Sequence, residues 1–143
     1  MRILITGADG YIGWPLFLKI IYQNPKFKII GVDNFLRRKL VNKYSKNNFR
    51  SVYSMNERIK ELKLKGKKNF QFINLDLLDS KKTYNLLKKF KPDIIFHLAC
   101  QPSAPFANKN LDNSLFTSKN NNLSTLNLLW SLKELNLLKT LFV

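Results

Sequence analysis

The 143-residue sequence contains little cysteine, histidine or acid, and each shortage excludes a class of protein. The single cysteine, Cys100, excludes an internal disulfide. The single histidine, His97, leaves no cluster with the ligand spacing of a zinc site, so we expect no metal. No apolar run is long enough for a membrane helix, and the chain opens on a strand pattern instead of a signal region. We therefore expect a cytoplasmic protein without a membrane partner.

Acidic residues are outnumbered by basic ones, 9 against 25, which gives a formal net charge of +16. Such a charge would ordinarily suggest a nucleic acid partner. However, the basic residues are mostly dispersed lysines, and their densest stretch, residues 60–68, lacks the interleaved aromatic residues that stack on bases. A solvated lysine surface is the favoured interpretation, and nucleic acid is the disfavoured partner. The positive field would still draw anionic nucleotides toward the protein.

What the sequence does contain is a glycine motif directly after an apolar strand pattern. Gly7, Gly10 and Gly13 follow that strand at the spacing G-x-x-G-x-x-G and lead into a helical pattern. Gly7 would permit a tight turn, Gly10 would let the main chain approach a pyrophosphate, and Gly13 would let helix and strand pack closely. The motif predicts a dinucleotide site with phosphates at the start of the helix. A turn that serves packing alone is the alternative.

A second apolar run, residues 27–33, ends at Asp33, twenty positions after Gly13. This is the spacing expected of a carboxylate that binds the ribose hydroxyls of adenosine. An acid at this point repels a 2′-phosphate and favours NAD over NADP. Arg37 and Arg38 keep the alternative open, since two guanidinium groups could hold that phosphate. Asp33 and Asn34 could also form only a turn.

Strand patterns and helical patterns alternate along the chain. Strands are predicted at residues 1–6, 27–33, 69–74, 93–99 and 137–143. Helices are predicted from the glycine motif to Asn24-Pro25, at residues 55–64, from Asp79 or Ser80 to about Phe90, and from Leu111 or Asn120 to Asn136. Residues 34–54 are expected to be irregular and residues 101–105 to form an extended loop.

This alternation predicts an α/β fold, a doubly wound parallel sheet of the Rossmann type, truncated after the fifth strand. We expect one NAD-binding domain over residues 1–143, itself incomplete. His97 lies in the apolar run 94–99 and is expected to be a satisfied core or strand-end residue, with a ligand or base as the alternative. Trp130 is expected in the core on an apolar stripe of the long helix, with Leu123, Leu126, Leu129 and Leu132.

Four segments together resemble one known family: Asp-Gly-Tyr-Ile-Gly-Trp at 9–14, Val-Asp-Asn-Phe-Leu-Arg-Arg at 32–38, Ser-Ala-Pro-Phe at 103–106, and residues 120–129. They are similar to the NAD-dependent epimerase/dehydratase family, the extended short-chain dehydrogenase/reductases that act on nucleotide sugars. Within this family the motifs most resemble the UDP-sulfoquinovose synthases of sulfolipid biosynthesis. The resemblance covers nearly the whole chain and corresponds to the N-terminal part of such enzymes.

The resemblance implies NAD as the cofactor and a nucleotide sugar as the substrate of the full-length enzymes. It implies the following contacts: the pyrophosphate at Gly7, Gly10, Tyr11, Ile12 and Gly13; the adenosine half at Asp33, Asn34, Arg37 and Arg38; the adenine border at Asp76 and Leu77; the nicotinamide side at Ala99 and Gln101; and an ordering role for Asn121. Two alternatives stay open. Asp76 could be a strand-end turn residue, and Asn121 could be solvated surface.

Two departures from the family bear on activity. Pro102 stands where plant-type synthases carry an arginine, which puts the exact sugar nucleotide in question. The family's Tyr-x-x-x-Lys pair and its substrate-binding domain are expected to lie beyond the fifth strand, so no catalytic residue is assigned. By resemblance, the full reaction oxidises UDP-glucose at C4, eliminates water, adds sulfite and returns the hydride. The chain alone is expected to be inactive, and a noncatalytic NAD-binding module is the alternative. A homodimer through long helices is a further expectation.

Overall fold

The computed structural model describes residues 1–44 and 53–143. Its elements are, in chain order, β1 (Arg2–Thr6), α1 (Gly13–Gln23), β2 (Lys28–Asp33), α2 (Leu36–Tyr44), α3 (Met55–Leu64), β3 (Phe70–Asn74), α4 (Ser80–Phe90), β4 (Ile94–His97), α5 (Ala104–Ala107), α6 (Leu111–Glu134) and β5 (Leu141–Phe142). Helix and strand thus alternate through most of the described chain.

The strands form one sheet in the order β3-β2-β1-β4-β5, and every neighbouring pair is parallel. β1 lies at the centre, where Ile3 is aligned with Ile29 of β2 and Ile94 of β4. The strand order changes direction beside β1, and ligands of such sheets bind outside the carboxyl ends of the strands at this point. The predicted doubly wound α/β fold is confirmed.

Apolar side chains cover both faces of the sheet, which explains why β1 and β2 are almost continuously apolar. The core under α1 and α3 consists of Ile3, Ile5, Ala8, Phe17, Ile20, Ile21, Ile29 and Leu62. The core under α4 and α6 consists of Leu4, Ile30, Val32, Leu75, Leu77, Leu87, Ile95, Leu128 and Leu132. Successive β1 residues alternate between the two cores because neighbouring strand side chains point to opposite faces.

Polar caps set the start of two helices where the sequence places them. The Ser54 side chain accepts the Glu57 N–H while Glu57 accepts the Ser54 N–H, a capping box that begins α3. The Asp79 carboxylate accepts the Lys82 N–H at 3.0 Å and begins α4. The predicted bounds of α3 and α4 are confirmed.

Two segments that were predicted to lack regular structure contain a helix. Residues 36–44 form α2 instead of irregular chain, because the Asn34 side chain accepts the Leu36 N–H at 3.0 Å and supplies a helix start. Residues 45–52 of the same predicted segment lie outside the described residues. Within the predicted extended loop, Ser103 caps the short helix α5, whose first turn accommodates Pro105.

The last strand is shorter than predicted. β5 is confined to Leu141–Phe142, whereas the apolar pattern predicts a strand over residues 137–143. The Leu137 N–H bonds to the Leu132 carbonyl and the Thr140 N–H to the Leu137 carbonyl. These bonds close turns after α6, so the segment before residue 141 cannot join the ladder.

The buried side of α6 agrees with the predicted apolar stripe only at Leu132. Ser124, Leu128, Ser131 and Leu132 are buried, whereas Trp130 is 54% exposed, and Leu123, Leu126 and Leu129 are exposed with it. The two serine hydroxyls donate to the helix carbonyls of Asn121 and Asn127, which satisfies them and permits their burial. Hydrophobicity alone therefore selects the wrong side of this helix. Neither α6 nor any other helix in the described ranges is long and apolar enough to cross a membrane.

We predict that Leu128→Ala lowers the unfolding free energy by about 2–5 kcal/mol. The leucine side chain is 0% exposed, so its removal leaves a cavity in the core. The matched variant Trp130→Ala should cost about 1 kcal/mol or less, since the indole is half in solvent. Urea unfolding of both variants beside the parent chain measures the difference. A larger loss for Trp130→Ala would contradict the observed orientation of α6.

Candidate functional site

A cavity of about 550 Å³ lies at the carboxyl ends of the strands. It is lined by eleven of the fourteen predicted site residues, namely Gly7, Gly10, Tyr11, Asp33, Asn34, Arg37, Arg38, Asp76, Leu77, Ala99 and Gln101. The other three are Ile12, Gly13 and Asn121, which adjoin the lining residues along the chain or support them. The sequence thus identifies one connected region of the fold.

The glycine turn joins β1 to α1 with no room for side chains at two of its glycines. Gly7 has a φ of +70°, and a Cβ there would lie 2.5 Å from the Leu98 carbonyl oxygen. A Cβ on Gly13 would lie 2.1 Å from the Gly7 oxygen. A Cβ on Gly10 would approach only the Gly7 oxygen, at 3.0 Å, so the rest of its surroundings is open. Gly7 and Gly13 thus fix the turn. The Gly10 N–H donates to the Gly7 carbonyl at 3.0 Å and the Gly10 carbonyl accepts the Trp14 N–H, so Gly10 contributes open space beside the turn.

The start of α1 is the electropositive end of the cavity. Its N-cap residue, Ile12, makes no side-chain cap hydrogen bond, and its first turn contains no acidic residue. In this first turn the Trp14 N–H donates to the Gly10 carbonyl at 3.1 Å and Pro15 has no N–H, so the Gly13 amide is available, with the partial positive charge of the helix dipole behind it. This end of the helix can therefore accept an anionic group.

The Asp33 carboxylate faces the glycine turn. Its Oδ2 accepts the Asp9 N–H at 2.9 Å, and its Oδ1 accepts the Phe35 N–H at 2.8 Å. Burial raises the pKa of this carboxyl, although the two amide hydrogen bonds act in the opposite direction. Each oxygen retains acceptor capacity for a second donor, such as a hydroxyl. Asn34 serves the turn that begins α2, and it lines the cavity as well.

Beside Asp33 lies an ion cluster around Asp9, whose side chain is only 6% exposed. Arg38 of α2 donates from Nε to Asp9 Oδ2 and from Nη2 to Oδ1 at 2.6 Å. Arg58 of α3 donates from Nη1 to Oδ1 at 3.2 Å. The hydrogen bond to Asp9 raises the pKa of Arg38, and burial lowers that of Arg58. Both arginines keep their charge in this setting.

Arg58 is a cavity residue that sequence reasoning missed, and Trp14 and Asp9 enter the lining with it. The Arg58 guanidinium lies 4.8 Å from the centre of the Trp14 ring. Asp9 and Trp14 belong to the motif that carries the family resemblance, but no local pattern marks Arg58. The capping box that begins α3 is the nearest signal, because it sets which residues form the first helical turn.

α6 holds the loops on either side of the cavity. The Asn121 side chain accepts the Gln101 N–H at 2.8 Å and donates to the Gln101 carbonyl at 3.3 Å. Asn127 donates to the Leu77 carbonyl at 2.8 Å. Asn121 is therefore bonded to a loop, and the alternative of plain solvated surface is wrong.

Asp76 occupies an exposed turn at the end of β3. Its Oδ1 accepts the Leu78 N–H at 3.0 Å, as a strand-end turn residue does. The carboxyl also lines the cavity, beside the buried Leu77. The turn interpretation is thus correct for its hydrogen bond, and contact with a ligand stays a prediction.

His97 links β1, β4 and α6 through hydrogen bonds. Its Nδ1 lies 2.7 Å from Thr6 Oγ1, and its Nε2 lies 3.0 Å from Thr125 Oγ1. The Thr125 hydroxyl donates to the Asn121 carbonyl, so Nε2 must donate to Thr125 and Nδ1 must accept from Thr6. Burial lowers the pKa of His97 below its ordinary value of 6.5. His97 is a satisfied, half-buried residue at the end of β4, as the expected core or strand-end histidine requires, and its lowered pKa keeps it neutral at pH 7.

No residue is assigned as a general base. The spacing Tyr-x-x-x-Lys does occur in the chain, at Tyr22 with Lys26 and at Tyr84 with Lys88, but neither tyrosine lines the cavity. Tyr22 instead packs under Lys67, whose Nζ lies 4.2 Å from the ring centre. In the part of the chain that the structure describes, no group of three or more His, Cys, Asp or Glu residues could hold a metal ion.

Comparison with known proteins places relatives over almost the whole chain. The family model described as GDP-mannose 4,6 dehydratase matches residues 4–143. The UDP-sulfoquinovose synthase of Sulfolobus acidocaldarius is 30% identical over 136 residues, which cover 95% of this chain and 34% of that protein. The chloroplastic UDP-sulfoquinovose synthase of Spinacia oleracea is 28% identical over 133 residues, which cover 93% of this chain and 27% of that protein. The chain spans about a third of these curated relatives, or less.

Solved structures share the fold. The UDP-glucose 4-epimerase of Stenotrophomonas maltophila, solved with bound NAD and formylated UDP-arabinopyranose, superimposes with a TM-score of 0.69 at 21% identity. The match covers 95% of this chain and 34% of that one. At this level of identity the likeness concerns the fold alone.

We predict that the unfolding free energy decreases as the pH falls below about 6.5, because the unfolded chain then protonates His97 while the folded chain resists it. The slope from this group is at most about 1.4 kcal/mol per pH unit. His97→Gln should flatten this part of the profile. The measurement is denaturant unfolding of both chains between pH 5 and pH 8. The difference between the two profiles reports His97 alone, because Asp33 is present in both chains; its raised pKa changes the unfolding free energy with pH in the opposite direction. Identical profiles would contradict the neutral assignment.

Proposed function

Because the chain belongs to the family described as GDP-mannose 4,6 dehydratase, we propose that it binds NAD in the cavity at the carboxyl ends of its strands. This membership confirms the family predicted from residues 9–14 and 32–38. The observation that carries the proposal is the Asp33 carboxylate, which is hydrogen-bonded to the glycine turn and lines the same cavity. Bound NAD would supply a reversible acceptor for hydride.

The pyrophosphate would be held by the glycine turn and the start of α1. Gly10 has open surroundings on one side, which gives the cradle that close approach of a phosphate requires. Ile12 makes no side-chain cap, so the Gly13 amide at the start of α1 can serve an anion, whereas the Trp14 N–H already bonds to the Gly10 carbonyl. The exposed Tyr11, with Gly7 and Gly13 behind the turn, would complete this end of the site.

The adenosine half would be held by Asp33 and its neighbours. Ribose hydroxyls are donors, and the two Asp33 oxygens already accept main-chain N–H groups with capacity left for further donors. Asn34, Arg37 and Arg38 line the same wall. Asp76 and the buried Leu77 would border the adenine, and the bond from Asn127 to the Leu77 carbonyl supports that border.

The nicotinamide half would lie beside Ala99 and Gln101. Asn121 bonds both the N–H and the carbonyl of Gln101, so it would order this loop without entering the cavity itself. The Thr6–His97–Thr125 hydrogen bonds tie the same part of α6 to the sheet. These contacts hold the loop in place before any ligand binds, and such preorganisation lowers the entropic cost of binding.

For the enzyme to which such a domain belongs, we propose a nucleotide sugar as the substrate, of the UDP-glucose type that a sulfoquinovose synthase uses together with sulfite. The support is the similarity to two UDP-sulfoquinovose synthases and the motifs at residues 9–14 and 32–38. Pro102, in place of the arginine of plant-type synthases, leaves the sugar itself to be identified.

We predict that Asp33→Asn weakens NAD binding about tenfold or more, because a neutral amide is a poorer partner for the ribose hydroxyls. Isothermal titration of the chain with NAD measures this change. Asp93→Asn is the matched control. Asp93 pairs with Arg2 at the amino ends of the strands, away from the cavity, so this variant should leave the NAD affinity unchanged. Equal losses in both variants, or no binding by the parent chain, would contradict the proposal.

We further predict that the chain, mixed with NAD, UDP-glucose and sulfite, forms no NADH and no sulfonated sugar. Removal of hydride from a sugar carbon requires a base for the hydroxyl proton. Among the described lining residues the tyrosine is Tyr11, which has Pro15 and no lysine four positions later. NADH absorbance and mass spectrometry of the sugar nucleotide provide the measurement. Sugar oxidation would show that a base had been overlooked.

A further inference from the structure

Four charged side chains meet at one wall of the cavity: Asp9, Asp33, Arg38 and Arg58. The Asp9 carboxylate accepts hydrogen bonds from both guanidinium groups, and its main-chain N–H donates to Asp33. The side chain of Asp9 is nearly inaccessible, and that of Arg58 is 13% exposed. The cluster therefore combines two negative and two positive charges in a partly desolvated place, with a net charge of zero.

Both guanidinium groups are committed to partners within the protein. Arg38 holds the two oxygens of Asp9 and also donates to the Tyr53 carbonyl at 3.1 Å. Arg58 is shared between Asp9 and the face of Trp14. Asp9 thus pairs with both arginines, and each uses at least one donor on its carboxylate.

We propose that Asp9 is a specificity-determining residue, which makes the cavity accept a dinucleotide with a free 2′-hydroxyl and reject one with a 2′-phosphate. This inference rests on the proposed binding of NAD and adds to it. A hydroxyl needs only an acceptor, which Asp33 provides. A dianionic phosphate needs cations, and two of the arginines that line this cavity, Arg38 and Arg58, are paired with Asp9.

The cost of redirecting these arginines explains the selectivity. For either guanidinium to bind a phosphate, it would have to give up hydrogen bonds to Asp9. That carboxylate would then remain buried with fewer partners, which is strongly unfavourable. The phosphate would also be repelled by Asp9 and Asp33 together, in a place where solvent screens little. Removal of the Asp9 charge lifts both penalties at once.

Arg37 provides the competing explanation. It is exposed and lines the cavity, so it could contact a 2′-phosphate without help from Asp9. If Arg37 controlled the choice of cofactor, changes at Asp9 would leave that choice unaltered. The two explanations therefore make different predictions for the same set of variants.

The test is a series of charge variants titrated calorimetrically with NAD and with NADP, using the full chain. Asp9→Asn leaves the cluster with one net positive charge, and it should raise the affinity for NADP relative to NAD about tenfold or more. Arg58→Gln leaves one net negative charge and should lower this ratio. The double variant still releases Arg38 from Asp9, so it should keep part of the gain of Asp9→Asn and lie above the parent ratio. Thermal unfolding followed by circular dichroism confirms that each variant is folded.

Further variants assign the effect. Asp9→Ser is a second variant that removes the carboxylate. If neither Asp9 variant folds, Arg58→Gln tests the inference with Asp9 intact. Arg37→Gln combined with Asp9→Asn should keep the gain in NADP affinity. Loss of that gain with Arg37→Gln, or an unchanged ratio in Asp9→Asn and Arg58→Gln, would overturn the inference. A parent chain that binds neither nucleotide would instead contradict the proposed function itself.

Discussion

The hydrogen bond from the Asp9 amide to the Asp33 carboxylate connects the two halves of the site. It joins the glycine turn after β1 to the end of β2 at 2.9 Å, and the parallel pairing of these strands brings their carboxyl ends together. The turn itself can approach so closely because Gly7 and Gly13 have no side chains. Were either position occupied by a Cβ, the turn would move away from the sheet, and Asp33 would lose its partner.

Charge in this protein is organised differently at the site and at the surface. The chain carries a formal net charge of +16, mostly on lysines that are exposed. Beside Asp33, in contrast, carboxylates and guanidinium groups balance each other in a partly buried cluster. Long-range attraction of an anionic nucleotide and local discrimination between nucleotides can therefore be separate properties. The first depends on the total charge, whereas the second depends on which arginine is paired with which acid.

α6 acts as a polar scaffold for the loops around the cavity. Asn121, Thr125 and Asn127 bond to the Gln101 loop, to His97 and to the Leu77 loop, respectively. Such a helix has to present polar groups toward the sheet, and it buries Ser124 and Ser131 there as well. The same requirement explains why its leucines and Trp130 are distributed around the helix and why its apolar pattern is a poor guide to the buried side.

Local signals in the sequence were sufficient for the α/β fold, for the bounds of α3 and α4, and for the region of the cavity. Glycine spacing, helix caps and continuous apolar runs each involve residues that are close together in the chain, so the sequence alone reveals them. Arg58 and the paired oxygens of Asp9 could not be found in this way, because their contact spans 49 positions and forms only when α3 packs beside the glycine turn. The exposure of Trp130 likewise followed from tertiary packing, which decides between local patterns of similar energy. The start of α2 and the short β5 instead follow from local hydrogen bonds, at Asn34 and at residues 132–140, that the hydrophobic pattern does not reveal.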